Sequence, residues 1–304
     1  MPKRSFPFSK FVNAEPTALR GISWMLLATA TAALQNALIK FMSHGLPFAE
    51  VLFFRSLFSL GFFMPAILYG NFTAVKTKRM TLHCVRGGVH GCAQILFFFA
   101  LATTPLAVVA VLNFTGPLFS TLLAALFLGE VVRARRITAL ALGFAGAMVV
   151  LRPGFIEIEL GAIATLVSAF FWGMSLMCMK ILTRTESSLT ISLYGLFFSL
   201  AISLAFTIPN WHMPTLGQFF WLVVMGGINA ISQFSRTQAI KEADLSLIMP
   251  LDFTRLVWVS ILGYVFFGEV PDIWTWLGGI IIFASATYIA YRERHTRNTP
   301  AKPA

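Results

Sequence analysis

The feature that most constrains the fold is a series of about ten apolar stretches, each about 20 residues long. A helix of that length crosses the roughly 30 Å hydrocarbon layer of a bilayer. The stretches are continuous rather than alternating, which favours helices over the strands of a membrane barrel. Only 12% of the residues are charged, whereas soluble domains carry roughly 25%. We therefore predict an all-α integral membrane protein with ten transmembrane helices.

Most positive residues lie in every second connection between these stretches. The alternate connections have none, except for Arg152. By the positive-inside rule this pattern places both termini in the cytoplasm. The formal net charge of +11 thus indicates topology, with a secondary attraction to the lipid bilayer surface, and no nucleic-acid partner. The residues concerned are Lys3, Arg4, Lys10, Arg20, Lys76, Lys78, Arg79, Arg133, Arg135, Arg136, Arg292, Arg294, Arg297 and Lys302.

The chain also contains an internal duplication. Asn-Phe-Thr at 113–115 recurs as Asp-Phe-Thr at 252–254, an offset of 139 residues (252 − 113 = 139), and Gly-Glu-Val at 129–131 recurs at 268–270. A repeat of five helices is an odd number, so the second copy enters the membrane from the opposite side. We therefore predict two inverted five-helix repeats. The predicted boundaries are a cytoplasmic tail at 1–20, repeats at 21–152 and 160–291, and a cytoplasmic tail at 292–304.

Inverted repeats give a membrane protein two equivalent conformations, each open to one side, around a central site. This predicts a secondary transporter that works by alternating access, although duplication can also serve only to build a stable bundle. A membrane-embedded enzyme would need a nucleophile with a base, or paired acids at depth. Asp252 is the one clear intramembrane acid, and Cys84, Cys92 and Cys178 show no metal-binding spacing. We predict no enzyme activity, no cofactor and no metal.

Several short motifs along the chain resemble those of a known protein family. They are Phe54-Arg55, Arg86-Gly87, Pro117, Leu128-Gly129-Glu130, Gly143 with Gly146, and Phe267-Gly268-Glu269. With the five-plus-five repeat, they resemble the drug/metabolite transporter superfamily in its ten-helix EamA-type branch. The resemblance implies a multi-pass carrier of small metabolites in a bacterial inner membrane, monomeric or homodimeric, with a cavity between the repeats. Within the superfamily the chain is most similar to carriers of riboflavin and S-adenosylmethionine. An exporter of amino acids or organic anions is the alternative.

Charged residues inside the apolar stretches are the first candidates for substrate binding, because each is costly in hydrocarbon. Asp252 and Arg255, three residues apart, are predicted to form an intrahelical ion pair. The pair either fixes helix rotation or lines the cavity, where Asp252 is also the candidate for proton coupling. Arg55 and Arg86 have uncharged repeat counterparts, Tyr194 and Met225. They bind either substrate or a backbone carbonyl or lipid phosphate. The excess of arginine favours a partly anionic or carbonyl-rich cargo.

Uncharged polar and aromatic residues form a second group of candidates. Gln94 and Gln233 are repeat-related, and with Asn113 they either join helices or orient a polar substrate edge. Trp172 is a candidate for stacking on a flat aromatic cargo.

Other charged residues lie near predicted helix ends. Glu130 and Glu269 are predicted to be structural, each pairing with a neighbour such as a loop arginine, with a possible gate contact. Lys40, Lys180 and Arg236 are predicted to extend their side chains to the headgroups.

Overall fold

The computed structural model describes residues 18–69, 77–128, 134–153, 157, 159–182, 185–186, 188–242 and 251–297. Within these ranges the chain forms helices and short connections, without strands. The helices are α1 (Ala18–Met42), α2 (Phe48–Tyr69), α3 (Met80–Thr103), α4 (Leu106–Asn113), α5 (Gly116–Leu128), α6 (Ala134–Leu151), α7 (Leu160–Leu182), α8 (Ser188–Thr207), α9 (Leu216–Glu242), α10 (Thr254–Phe267) and α11 (Ile273–Arg297).

Several of these helices have the length and composition of membrane spans. In the described ranges six segments are long and apolar enough to cross a bilayer, and three shorter apolar helices accompany them. The six are Leu19–Met42, Phe48–Pro65, Met80–Thr103, Leu106–Phe127, Leu160–Met179 and Thr190–Thr207, and the shorter helices are Ile137–Leu151, Thr254–Phe267 and Ile273–Tyr288. The all-helical membrane architecture predicted from the apolar stretches is therefore confirmed.

The fourth apolar stretch is broken into two helices, α4 and α5. The break lies at Phe114 and Thr115, directly before Pro117. Proline has no amide hydrogen, so it cannot bond to the carbonyl four residues earlier, but it fits the first turn of a new helix. The Thr115 hydroxyl donates to the Leu112 carbonyl at 2.6 Å and caps the end of α4. A turn of two residues, Phe114 and Thr115, therefore separates α4 from α5.

The same interruption occurs at the repeat-related position before α10. Thr254 is the first residue of α10, and its hydroxyl donates to the Leu251 carbonyl, also at 2.6 Å. The two threonine bonds lie at equivalent places in the duplicated sequence. The repeated tripeptides thus mark two equivalent helix breaks. Pro250 lies outside the described residues.

Helices of the first half pack mainly against helices of the second. The pairs α3 with α7 and α1 with α9 are repeat-related, as are α2 with α9 and α3 with α8. Two glycines show the same relation in detail. A Cβ on Gly87 would lie 2.2 Å from the Phe198 ring, and one on Gly226 would lie 2.4 Å from the Phe58 side chain. Only glycine permits these close approaches.

Candidate functional site

The two helix breaks meet between the halves of the molecule. The rings of Phe114 and Phe253, the central residues of the repeated tripeptides, have centroids 5.6 Å apart. The hydroxyl groups of Thr29 and Thr254 lie 3.0 Å apart and join α1 to the start of α10. The duplicated motif is therefore a contact between the two copies as well as a trace of their common origin.

Asp252 lies directly before the turn residue Phe253 that precedes α10, and its carboxylate accepts a hydrogen bond from Arg236 of α9 at 3.1 Å. The predicted pair with Arg255 is not formed. Instead, the Arg255 guanidinium lies 4.7 Å from the centroid of Phe114. The helix break is the reason, because a spacing of three residues places side chains together only within a continuous helix. Arg236 was expected to reach the headgroups and is bound to Asp252 instead.

One face of α3 carries a polar stripe, which we define as His83, Arg86, His90 and Gln94. Their spacing of three or four residues aligns them on one side of the helix. Arg86 is 7% exposed and donates from Nη1 to the Ile191 carbonyl of α8 at 2.9 Å, while its Nε has no hydrogen-bond partner among the described residues.

The two histidines of the polar stripe are also incompletely bonded. Neither ring nitrogen of His83 has a hydrogen-bond partner in the described structure, although its ring lies 4.5 Å from that of Tyr194. His90 Nε2 lies 3.4 Å from Gln94 Nε2, but His90 Nδ1 is buried and unbonded. The Trp172 ring of α7 is 5.1 Å from the His90 ring and is 36% exposed. Trp172 therefore borders the stripe.

Arg55 extends from α2 towards the same region. Its guanidinium lies 4.9 Å from the centroid of Phe98, the next turn of α3 after Gln94. The residue is 5% exposed, and no hydrogen bond or ion pair joins it to any described residue. A buried charge costs about 2.5–3.5 kcal/mol in a membrane helix, and the contact with Phe98 is the only interaction that offsets this cost for Arg55 among the described residues.

The repeat counterparts of these residues are arranged differently. Met225, the counterpart of Arg86, is fully buried in the apolar core. Gln233 lies on an exposed face of α9, whereas Gln94 is partly buried. Asn113 ends α4 at the first break and is also partly buried. The structure thus brings Gln94 and Trp172 together around His90, whereas Arg55 contacts Phe98 and Arg86 contacts Ile191 at different levels of α3.

Glu269 binds both a lysine and a helix end. It forms an ion pair with Lys40 of α1, and its Oε2 accepts a hydrogen bond from the amide of Leu106, the first residue of α4, at 2.8 Å. Lys40 also donates to the Thr104 carbonyl at 2.9 Å. A carboxylate at the start of a helix is favourable with the helix dipole. Glu269 thus has a charged partner, as predicted, and that partner is a lysine. The expectation for Lys40 was wrong, because its side chain is buried in this pair instead of extending to the headgroups. Glu130 and the Lys180 side chain lie outside the described residues.

Sequence reasoning missed Glu50, a fully buried acid in the first turn of α2. Its Oε1 accepts a hydrogen bond from the amide of His212 at 2.6 Å, and its Oε2 has no partner among the described residues. An acid in the first turn of a helix is a common cap signal. No local sequence pattern links Glu50 to His212, which is 162 residues away.

Asp272, in the connection between α10 and α11, forms an ion pair with Arg152, which directly follows α6. Burial acts to raise the pKa of the Asp272 carboxyl, but hydrogen bonds from Thr275 and the charge of Arg152 outweigh it. The pKa of Asp272 therefore lies below its ordinary value. Thr275 donates from its hydroxyl at 2.6 Å and its amide at 2.8 Å.

A cavity of about 320 Å³ lies beside this connection. Among the described residues, Glu269 is the only predicted site residue in its wall, and most of the lining is apolar. The cavity does not include the polar stripe of α3. Its charged lining residues are Arg152, Glu157, Glu159, Glu269 and Asp272.

Comparison with known proteins identifies the family. The sequence profile of the EamA-like transporter family matches the chain twice, over residues 19–152 and 159–291. The chain belongs to this family. As an EamA-like transporter it is a multi-pass membrane protein whose relatives carry small molecules, which agrees with the family resemblance seen in the sequence.

Curated relatives of this EamA-like transporter differ in cargo. The chain is 27% identical to the S-adenosylmethionine uptake transporter of Rickettsia prowazekii, with 94% of this chain and 98% of that protein covered. It is 30% identical to the riboflavin transporter of Vibrio cholerae, with 90% and 94% covered. It is also 27% identical to the pseudopaline exporter of Pseudomonas aeruginosa, with 90% and 97% covered.

A solved crystal structure supports the same fold. It matches 93% of this chain and 98% of its own with a TM-score of 0.60, at 18% sequence identity. At that identity the likeness concerns the fold alone.

Proposed function

We propose that this EamA-like transporter moves a small polar organic metabolite across the bacterial cytoplasmic membrane by alternating access of two inverted five-helix repeats. The observation that carries the proposal is the meeting of the two helix breaks at Phe114 and Phe253. Broken helices at the interface between repeats leave backbone groups free for cargo, and they allow one half to rock against the other. The equivalent threonine caps at both breaks support a matched pair of moving elements.

The cargo is proposed to be similar to riboflavin or S-adenosylmethionine, since relatives along nearly the whole chain are named for these compounds. Export of an amino acid or organic anion is the second candidate. Two observations favour it: a relative is named as an exporter, and Arg55 and Arg86 are buried without an acid bound to either among the described residues. A transport experiment therefore has to follow cargo in both directions.

The test is flux across proteoliposomes made with the purified full chain. Radiolabelled riboflavin, S-adenosylmethionine, amino acids and carboxylates are followed into and out of the vesicles, with protein-free vesicles as the control. We expect saturable movement of at least one compound and faster exchange when the same compound is present on both sides. Purified, folded protein that moves none of these compounds would contradict the proposal.

Proton coupling is proposed to use Asp252, which lies with Arg236 and Arg255 beside the second break. Replacing Asp252 by Asn should abolish cargo accumulation driven by a pH gradient while exchange continues. Asp272→Asn is the matched control, because Asp272 lies in the connection before α11. Gradient-driven accumulation that survives in Asp252→Asn would contradict the coupling role.

A further inference from the structure

The contact between His90 and Gln94 leaves part of both side chains without a partner. Nε2 of His90 lies 3.4 Å from the amide nitrogen of Gln94, one turn further along α3. An amide nitrogen can only donate, so Nε2 of His90 accepts in this contact and Nδ1 of the neutral ring carries the proton. That Nδ1 is buried and has no hydrogen-bond partner among the described residues. His90 therefore presents a buried donor without an acceptor in the described part of the chain.

Gln94 adds the complementary group. Its one bonding contact among the described residues is with His90 of the same helix, so its side-chain oxygen is a free acceptor and does not join α3 to another helix. The same balance holds if the amide is turned over. The oxygen then accepts from Nε2, Nδ1 becomes the free acceptor, and the amide nitrogen becomes the free donor. In either orientation the pair offers one donor and one acceptor to a third group.

Trp172 of α7 places an aromatic surface beside this pair. Its ring centroid is 5.1 Å from that of His90, and the residue is 36% exposed. Its Cδ1 lies 3.1 Å from the position that a Cβ on Gly116, the first residue of α5, would take. Trp172 belongs to the second half of the chain, and it therefore lies against two helices of the first half, beside the break between α4 and α5.

The equivalent position of the second half shows that the fold can satisfy a polar residue at this place. Asn229 of α9, the counterpart of His90, donates from Nδ2 to the Ser59 hydroxyl of α2 at 2.9 Å. Asn229 is thus bonded to a neighbouring helix, whereas His90 is bonded only within α3. Buried polar groups in native proteins are normally bonded. The unbonded nitrogen of His90 therefore indicates a group that the protein binds.

The bonding pattern of the pair defines the chemistry of that group. The two buried arginines lie at other levels of α3, since Arg55 contacts Phe98 and Arg86 binds the Ile191 carbonyl. The pair itself is uncharged. A carboxylate supplies acceptors only and an ammonium group supplies donors only, so each would leave one half of the pair unsatisfied. The amide or imide edge of a planar heterocycle supplies both, and its ring can stack on an indole.

We propose that His90 and Gln94 bind the donor–acceptor edge of a planar heterocyclic cargo, with Trp172 stacked on its ring. This proposal rests on the transport function proposed above and narrows the cargo to flat rings that carry a donor beside an acceptor. The imide of a flavin and the amino-pyrimidine edge of adenine both have this pattern. An aliphatic amino acid or carboxylate does not fit the site.

The test compares rings that differ only at this edge. The purified full chain is heated in detergent with riboflavin or 3-methylriboflavin, and with adenosine or N6,N6-dimethyladenosine. The second compound of each pair keeps the ring and lacks the donor. A bound ligand raises the unfolding midpoint by mass action. We expect at least one unmethylated ring to bind about tenfold more tightly than its methylated partner, because the partner leaves a buried acceptor unpaired. No difference within either pair would overturn the proposal.

Substitutions of the polar pair assign this preference to the site. Gln94→Met and His90→Phe keep the approximate size of each side chain and remove its hydrogen bonds. Each should therefore bring the ratio of the two dissociation constants from about tenfold to nearly one. A pocket that rejects the added methyl group by its size alone would keep the ratio in both variants, and that result would overturn the site. Cys92→Ala, at an exposed residue of α3, is the matched control and should bind as the unaltered protein does.

Substitution of Trp172 tests the stacking contact separately. Trp172→Leu should weaken binding of both members of the active pair by about two- to tenfold and leave their ratio intact, because the stacking surface does not contact the edge. If riboflavin is the active ring, quenching of its fluorescence by the protein should also fall. Trp274→Leu, at an exposed tryptophan near the start of α11, is the control. Unchanged binding in Trp172→Leu would overturn the stacking role.

Two results separate this proposal from the transport function. Flux of riboflavin or adenosine that is unaffected by both Gln94→Met and His90→Phe would uphold transport and overturn the ring site. Ring binding that depends on Gln94 and His90, without flux of that compound in proteoliposomes, would uphold the site and contradict transport.

Discussion

Helices α3 and α9 occupy equivalent places in the two halves, yet they present opposite surfaces to the interior. Arg86 of α3 is charged and bonded through one of its nitrogens, whereas Met225 of α9 is apolar and fully buried. Both helices make the same close glycine contact, at Gly87 and Gly226. Packing is therefore shared by the two copies while charge is not, and the difference between duplicated helices points to function more directly than their similarity.

The strongest test of this comparison transfers the charge to the wrong helix. Met225→Arg places a cation in the apolar core, and the expected cost is about 3–5 kcal/mol, as for other uncompensated buried charges. The yield of folded protein in size-exclusion chromatography and the thermal midpoint should both fall sharply. Met213→Arg is the control, since Met213 is 82% exposed. A tolerated Met225→Arg would mean that this face of α9 accepts charge as α3 does.

The Lys40–Glu269 pair provides the case of a buried cation with a partner. Glu269→Gln leaves Lys40 uncompensated and weakens the cap on Leu106. The side chains are 11% and 18% exposed, so we expect a loss of about 2–3 kcal/mol, below the value for fully buried pairs. The thermal midpoint measures it, with Glu159→Gln at an exposed acid as the control. Adding Lys40→Met to Glu269→Gln should recover part of the loss, and a double variant less stable than the single one would argue against the pair.

Converting α3 towards its counterpart should have a much smaller effect. Arg86→Met removes one hydrogen bond to the Ile191 carbonyl and also removes a buried charge. These two contributions oppose each other, so the free energy of unfolding of the ligand-free protein should change by no more than about 1 kcal/mol. The thermal midpoint measures this change. A loss as large as that in Glu269→Gln would show that Arg86 supports the fold.

The smallest expected effect concerns the partly exposed Arg152–Asp272 pair. The pKa of Asp272 is lower in the folded protein than its ordinary value of about 3.9. The ionised Asp272 carboxylate therefore stabilises the folded protein above about pH 4. This stabilisation is lost as the pH falls through the pKa that Asp272 has in the folded protein. Exposed pairs contribute up to about 1 kcal/mol. The difference in thermal midpoint between the unaltered protein and Asp272→Asn should shrink as the pH falls. A difference that grows would contradict a lowered pKa of Asp272 in the folded protein.

The membrane class followed from the sequence because a run of about 20 apolar residues has few alternatives in water. The break at Thr115 did not, since the whole run from Leu106 to Phe127 is long and apolar enough to be read as one membrane span. The predicted pair of Asp252 with Arg255 was wrong because the helix break before α10 was also not predicted. A continuous helix would have aligned it with Arg255, and the turn before α10 directs it to Arg236 instead.

Contacts between distant segments were also beyond the sequence. Glu269 and Lys40 are 229 residues apart, and no local pattern links them. Arg55 and Arg86, in contrast, were singled out by comparison with their uncharged counterparts, and both are buried without an acid bound to them among the described residues. A difference in charge between duplicated positions is useful for choosing candidate site residues, because packing constrains both copies while cargo contacts only some residues.

The central claim is that the buried cations beside α3 serve a ligand rather than the fold. Thermal unfolding of ligand-free Arg55→Gln beside the unaltered protein tests it most directly. A midpoint that stays the same or rises is predicted, because the substitution removes a buried charge that has no hydrogen-bond or ion-pair partner among the described residues and contacts only the Phe98 ring. A fall as large as that of Glu269→Gln would contradict the claim.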